Sequence, residues 1–318
     1  MMKNRICVVG AGRWGKNHIN NLIDLGCLGG VVDTNKKEID SLKLKYPRIN
    51  FFLDLDSSFL HNFDGYIIAT PSSSHASLAK EIIKKKKPVL VEKPLAHSLK
   101  DAKDLEKIIN KTDGKLLVGH LLLFHPAILK MKKMIDQGDI GDIQYIYSNR
   151  LNLGIVRKDE NVFWSFAPHD IALFQFFSNS FPSDISSSGG DFLQNKIHDT
   201  TMTYLKYPNK IHGHIYVSWL HPFKEHRLVI IGTKGSLHFE DKSIGDELFY
   251  YNKQTSSAIN HFKKETPKRI SYSDDKPLMN EIKYFIDVIN GHKIKKIDIK
   301  KGIDVVKILE LATNSLKS

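Results

Sequence analysis

Apolar and polar positions over the first 120 residues switch repeatedly between two periods. The runs "RICVVG", "CLGGVVDTN", "INFFLDL", "DGYIIAT", "PVLVEKP" and "KLLVGHLL" carry short apolar cores that read as buried strands. Between them lie segments whose apolar residues recur at helical spacing. "KNHINNLIDLG" places Ile19, Leu22, Ile23 and Leu25 on one face. "SSFLHNF" and "SLKDAKDLEKIINKT" follow the same rule, as does "SSSHASLAKEIIKKKK", which opens on serines able to cap it. Strands alternating with helices imply a parallel, doubly wound α/β sheet, a Rossmann-type domain over residues 1–120.

The alternation stops after the amphipathic helix "HPAILKMKKMIDQGDIGD". Residues 121–318 read as an α+β domain with a large, mostly antiparallel sheet. "IQYIYSNRLNLG" is its first strand, and a helix starts near Pro168 within "NVFWSFAPHDIALFQFFS". Extended runs follow: "HDTTMTYLKYP", "IHGHIYVSWLHP", "EHRLVIIGTKGSLHFED", "DELFYYN" and "RISYS". Turn signals at Pro208-Asn209, Thr233-Lys234-Gly235 and Ser243-Ile244-Gly245 separate several of them. Two helices close the chain, and the last is a candidate to pack back on the first domain. Apolar residues on both faces of an open sheet predict that a second copy covers the outer face, giving a homodimer or homotetramer.

Chemistry enters at the first strand–helix junction. Gly10, Gly12 and Gly15 form G-x-G-x-x-G after a strand and at the opening of a helix. The first glycine permits the tight turn, the second a close approach to a pyrophosphate, and the third close helix–strand packing. Arg13 and Trp14 lie in the same loop, and the helix N-terminus offers free N–H groups to phosphates. Asp33 ends the second strand, a little over the ~20 residues at which a ribose-binding acid is expected. Its carboxylate repels a 2′-phosphate, which makes NAD the expected cofactor; Lys36 and Lys37 soften that discrimination and leave NADP within reach. Asp33 can also serve as the N-cap of the next helix.

Ligands of doubly wound sheets bind outside the carboxyl ends of the strands. Three loops fall there: Gly10–Gly15, Ala69–His75 and Glu92–Pro94. Lys93 therefore faces the cofactor cleft from the end of the buried run Val89, Leu90 and Val91. A lysine near a cationic nicotinamide would have its pKa lowered and become a usable base. The proline that follows is a candidate for a cis Lys93–Pro94 bond. His120 and His125, after the sixth strand, read as substrate contacts or hinge packing.

Composition narrows the classes. The formal charge of +12 comes from lysines scattered over helix faces, without an arginine-rich or aromatic-interleaved stripe. This argues against nucleic acid as partner and suits attraction of a phosphate-bearing small molecule. No apolar run approaches the ~18 residues of a membrane span, and the N-terminal segment lacks a signal-peptide cleavage site. The two cysteines, Cys7 and Cys27, sit in apolar runs and read as reduced thiols of a cytoplasmic protein. His212 and His214 share a strand face and His221 follows, but no Cys, Asp or Glu completes a metal set.

Together "ATPSSSH", "VEKPLA" and "FAPHDI" resemble the Gfo/Idh/MocA oxidoreductase family, and the resemblance spans essentially the whole chain. It implies that Lys93 lies beside nicotinamide and substrate, and that His169 shares the acid/base work. It also implies that Thr70, Pro71 and His75 contact the nicotinamide-ribose side, with Glu92 belonging to the cofactor loops. The family often has an aspartate four residues before the histidine; here that position is Ser165, and Asp170 points elsewhere around the helix. The runs around Arg150 and Trp219 resemble a branch that oxidises C3 of UDP-linked N-acetylamino sugars such as UDP-N-acetylglucosamine, for lipopolysaccharide and other surface glycans. In that reading Arg150, Asn152, Arg157 and Lys158 meet the diphosphate, while His120 adds a substrate contact. Two alternatives stand beside it: a dehydrogenase of a free polyol or sugar such as inositol, and a non-catalytic NAD-binding regulator. The intact Lys93 and His169 speak against the last.

Overall fold

The computed structural model describes residues 4–154, 156–241, 245, 247–253 and 266–316. They divide into two compact units, Met1–Leu121 with Lys276–Lys307, and Leu122–Asp275 with Ile308–Ser318.

The first unit follows the predicted alternation. Its chain order is β1 (Ile6–Val9), α1 (Arg13–Asp24), β2 (Leu28–Val32), α2 (Lys36–Lys45), β3 (Asn50–Phe52), α3 (Leu55–Phe59) and β4 (Gly65–Ile68). Then come α4 (His75–Lys84), β5 (Val89–Glu92), α5 (Leu99–Thr112) and β6 (Leu116–Gly119). The six strands are parallel in the order β3-β2-β1-β4-β5-β6. The order reverses between β1 and β4, the point at which doubly wound sheets bind ligands. Central strands are buried along their whole length, as unbroken apolar runs require. Capping places the helix starts: Asn35 caps α2 through the Lys37 N–H, Asp54 caps α3 and Ser98 caps α5. Asp33, considered above as the cap of α2, instead accepts from the Asn35 N–H at 2.8 Å, just ahead of the helix. Both cysteines are buried thiols outside any disulfide, Cys7 on β1 and Cys27 just before β2.

In the second unit α6 (Pro126–Asp136) precedes β7 (Ile143–Leu153), α7 (Val162–Phe166) and α8 (Pro168–Ser178). Next are β8 (Asp184–Gly190), β9 (Thr200–Lys206), β10 (His212–Ser218), β11 (Leu220–Gly232), β12 (Gly235–Glu240), β13 (Glu247–Asn252) and β14 (Lys268–Arg269). The eight strands run β14-β13-β12-β11-β7-β10-β9-β8, antiparallel except for the parallel pair β7–β10. Strand β8, "DISSSGG", is absent from the sequence reading because serine and glycine give no apolar alternation; its register on β9 supplies the ladder instead. Ser243 and Ile244, in one expected turn, lie outside the described residues. Helix α9 (Pro277–Ile289) belongs with the first unit. Of α10 (Ile299–Ser315), the first turns belong to the first unit, where a Cβ on Gly302 would collide with Val118 and Leu95. Its last turns belong to the second, where Thr313 accepts from Trp164 Nε1 at 3.0 Å. No described helix is long and apolar enough to cross a membrane.

Candidate active site

The glycine loop is set by sterics. Gly10 has φ +96°, and a Cβ there would stand 2.8 Å from the Ala69 backbone. A Cβ on Gly15 would stand 1.9 Å from the Gly10 carbonyl oxygen, so only glycine lets α1 start this close to β1. Beside Gly12 a Cβ would meet nothing within 4 Å. Gly12 is also the N-cap of α1 and offers no side chain to its first N–H groups. These groups are left to a ligand. Asp33 Oδ2 accepts from the Ala11 N–H at 2.6 Å and so ties the end of β2 to the loop. Open space at Gly12, uncapped N–H groups and a carboxylate at the end of β2 fit a dinucleotide.

The other strand ends are braced against one another. Thr70 Oγ1 and Ser74 Oγ lie 2.7 Å apart, and Ser74 also donates to the Pro71 carbonyl. His75 is buried, with Nδ1 2.8 Å from the Pro94 carbonyl and Nε2 2.9 Å from the Thr70 carbonyl. It therefore links the loops after β4 and β5 instead of presenting a nitrogen to a ligand, a difference from the contact that the family resemblance implies. Burial lowers its pKa, against the pull of the two carbonyls. The Lys93–Pro94 bond is cis.

Glu92 is the centre of this region. It is 6% exposed, and its Oε1 accepts from Trp14 Nε1 and meets His18 Nε2 at 2.6 Å. Oε2 accepts from the Lys93 N–H at 3.3 Å. Burial opposes its ionisation, but the His18 and Trp14 hydrogen bonds and the Lys93 charge hold the carboxyl below its usual range. A charged side chain can end a buried strand because it is hydrogen-bonded on both oxygens. Lys93 itself is half-buried. His120, after β6, is 1% exposed; burial, then the Lys93 charge, pushes its pKa down to about 4, so it is a neutral imidazole at pH 7. Thus the loop 10–15, Asp33, Thr70, Pro71, His75, Glu92, Lys93 and His120 all gather at the carboxyl ends of β1, β2, β4, β5 and β6.

In the second unit His169 is half-buried in the first turn of α8, directly after Pro168. Its neighbour Asp170 is 2% exposed and receives both prongs of Arg150, Nε to Oδ2 at 2.7 Å and Nη2 to Oδ1 at 3.1 Å. Although burial opposes it, the Asp170 carboxylate raises the Arg150 pKa further. The third prong, Nη1, lies 3.4 Å from His226, which in turn meets Asp241 at 3.2 Å. The sequence reading sends Arg150 to a diphosphate; its fork is instead committed to Asp170. Asn152 lies one strand period further along β7, and Arg157 is exposed, 3.9 Å from Glu160. His212 and His214 meet Tyr204 and Tyr145 on neighbouring strands. His125 caps α6 through the Ala127 N–H and packs on Phe239.

Two participants were missed by sequence reasoning: His18, and Asp170 as the partner of Arg150. The signal for His18 was its i, i+4 spacing from Trp14.

Residues 4–120 match the family described as GFO_IDH_MocA, oxidoreductase family, NAD-binding Rossmann fold. Residues 128–238 match its C-terminal domain, GFO_IDH_MocA_C3. The chain belongs to the Gfo/Idh/MocA oxidoreductase family. Its first unit is an NAD-binding Rossmann domain, and it is an NAD-dependent dehydrogenase of that family. Among curated relatives, scyllo-inositol 2-dehydrogenase (NAD(+)) of Bacillus subtilis is 26% identical over 255 residues, 73% of this chain and 72% of that protein. UDP-N-acetylglucosamine 3-dehydrogenase of Acidithiobacillus ferrooxidans is 26% identical over 190 residues, 59% of each chain. The solved structure of that enzyme superposes with a TM-score of 0.87 over 100% of this chain and 98% of its own, at 21% identity, which speaks to the fold.

Proposed function

We propose that this dehydrogenase oxidises a secondary hydroxyl of a sugar, with C3 of a UDP-linked N-acetylamino sugar as the target, in biosynthesis of a surface glycan. The observation that carries the reading is the position of Lys93, at the carboxyl end of β5 beside Glu92 on the side of the sheet that bears the glycine loop. When bound, NAD would supply the acceptor for the hydride of the carbinol carbon. Gly12 and the N–H groups of α1 would hold its pyrophosphate, and Asp33 its adenosine ribose. Lys93 takes the hydroxyl proton, so that carbinol becomes ketone and the proton balance closes on the lysine. Glu92 keeps the lysine's backbone in place. His169, at the start of α8, assists, and Arg157, Lys158 and Asn152 meet the diphosphate.

A second reading, oxidation of a free polyol such as inositol, is favoured by one observation: Arg150 is already neutralised by Asp170, which removes one cation from the expected diphosphate set. NADH absorbance separates the two. The protein is incubated with NAD and either UDP-N-acetylglucosamine, coupled to an aminotransferase that consumes a 3-ketone, or myo- and scyllo-inositol. Turnover on the nucleotide-sugar alone supports the first reading; turnover only on inositols replaces it with the second; none on either sinks both.

A further inference from the structure

Helix α9 carries a glutamate where its spacing calls for an apolar residue. Glu281 lies among buried Ile282, Phe285 and Val288 and is 0% exposed. Neither carboxyl oxygen has a hydrogen-bond partner among the described residues. Helix α9 packs on α1, and α1 holds a second buried atom in the same condition, His18 Nδ1. The other nitrogen of that ring meets Glu92 Oε1 at 2.6 Å. Glu281 lies close enough to Glu92 for its charge to be felt there.

Protonation follows from these placements. Glu92 has Trp14, His18 and the Lys93 N–H to stabilise a negative charge, whereas Glu281 has none of them. Two neighbouring buried carboxyls do not both ionise, and the proton goes to the one without donors. Burial, and after it the charge on Glu92, pushes the Glu281 carboxyl well above the usual range. The charge felt at Glu281 is that of Glu92 from β5, and the buried titratable group on α1, the helix packed against α9, is His18. Lys115 at the Val288 carbonyl and the Lys295 and Lys296 backbone at Tyr284 lie toward the far end of α9. A carboxylic O–H is a donor, and an imidazole that gives its Nε2–H to Glu92 has Nδ1 as an acceptor. The two buried orphans are chemically complementary, and since neither meets the other at hydrogen-bond distance, one bridging water completes the pair.

We propose that Glu281 is a positioning residue of the dehydrogenase site, donating its carboxylic proton through one bridging water to His18 Nδ1 so that His18 keeps Nε2–H on Glu92 and Glu92 stays ionised behind Lys93. The chain runs from the Glu281 O–H through the water to His18 Nδ1, and from His18 Nε2–H to the Glu92 carboxylate. It carries one negative charge, and no proton leaves it. Its catalytic consequence rests on the reading of Lys93 given above; its protonation pattern does not.

The test has two independent arms. Infrared spectra of the NAD-bound protein at pH 8 should contain a carboxylic acid carbonyl band that is missing in E281Q. Nitrogen-15 spectra should show a ring with Nε2–H and bare Nδ1 that disappears in His18→Gln. An unchanged infrared spectrum in E281Q, or a His18 ring bearing both protons, overturns the proposal whatever the substrate proves to be. In the activity arm E281Q, whose amide still donates, should keep kcat near wild type. E281L should lower kcat about 10–100-fold, the usual cost of losing an outer partner of a site group, with KM for NAD unchanged. Its kcat/KM profile should also lose activity at higher pH on the acid side, since Glu92 then protonates more easily. If E281L retains wild-type kcat and profile, the positioning role is wrong; if it does not fold, the two spectra of E281Q and His18→Gln decide alone. Should Lys93→Met retain turnover, the reading of Lys93 falls while the spectra still judge Glu281.

Discussion

At the scale of single residues the site depends on which charged groups are neutralised by hydrogen bonds. Lys93 is half-buried and its backbone is held by Glu92, so removing its amine leaves the scaffold intact. Lys93→Met should lower kcat by ~10²–10⁴-fold, the usual worth of a general base. NAD affinity and melting temperature should stay near wild type, and His169→Asn should cost less. Steady-state kinetics beside a thermal melt check both. Asp33 Oδ2 binds the Ala11 N–H, which couples the acid to the glycine loop. Asp33→Ala should weaken NAD and relax discrimination against NADP; unchanged titration of both cofactors would remove Asp33 from the site. Glu281 gives a pH signature of stability. Its folded pKa is raised, so the folded state keeps a proton that the unfolded chain releases above its ordinary value of about 4.3. Stability contributed below that value is lost as pH rises toward the folded pKa. E281Q removes this loss, so its melting temperature should exceed the wild type's by an amount that grows from pH 5 to pH 8. Parallel curves would show that Glu281 ionises in the folded protein.

At the scale of elements, helix α8 is fixed by its first turn. The Arg150 fork on Asp170 joins β7 to the residue after His169, and the ion pair is nearly dry, with side-chain exposures of 14% and 2%. Breaking such a pair strands a buried carboxylate, so Arg150→Met should cost about 3–5 kcal/mol in urea unfolding. Replacing both partners by apolar residues should recover most of it. On the proposed reading, activity should fall through a displaced His169. Legibility in the sequence differed between elements for the same kind of reason. Strands β1, β4 and β5 announce themselves because both faces are apolar, and α5 does so because Ser98 and Asp101 mark its start. Strand β8 is silent, since its stability comes from pairing with β9 and not from its own side chains. The Arg150–Asp170 contact joins residues 20 apart on a strand and a helix, a pairing that no local period encodes.

At the scale of the whole molecule the second unit's sheet has two unlike faces. Ile146, Ser148, Leu228, Ile230, Leu237 and Phe239 are buried on one. On the other, Tyr145, Tyr147, His214, Tyr216, Val229 and Ile231 form a half-exposed aromatic and aliphatic surface. An apolar sheet face of this kind is expected to be covered by a second copy. Light scattering should give a mass of two or four chains, and Val229→Asp should lower it; a monomeric wild type would end the idea. The sequence by itself determined the parallel order of the first unit, the glycine loop with Asp33, and the family, because each is written in local period and in short spacings. Only the tertiary structure decided that His75 braces two loops, that Arg150 is spent on Asp170, and that Glu281 stands near Glu92. Those relations join residues distant in the chain, and whether a charge is paired or buried depends on which elements pack together, a property no single stretch of chain contains.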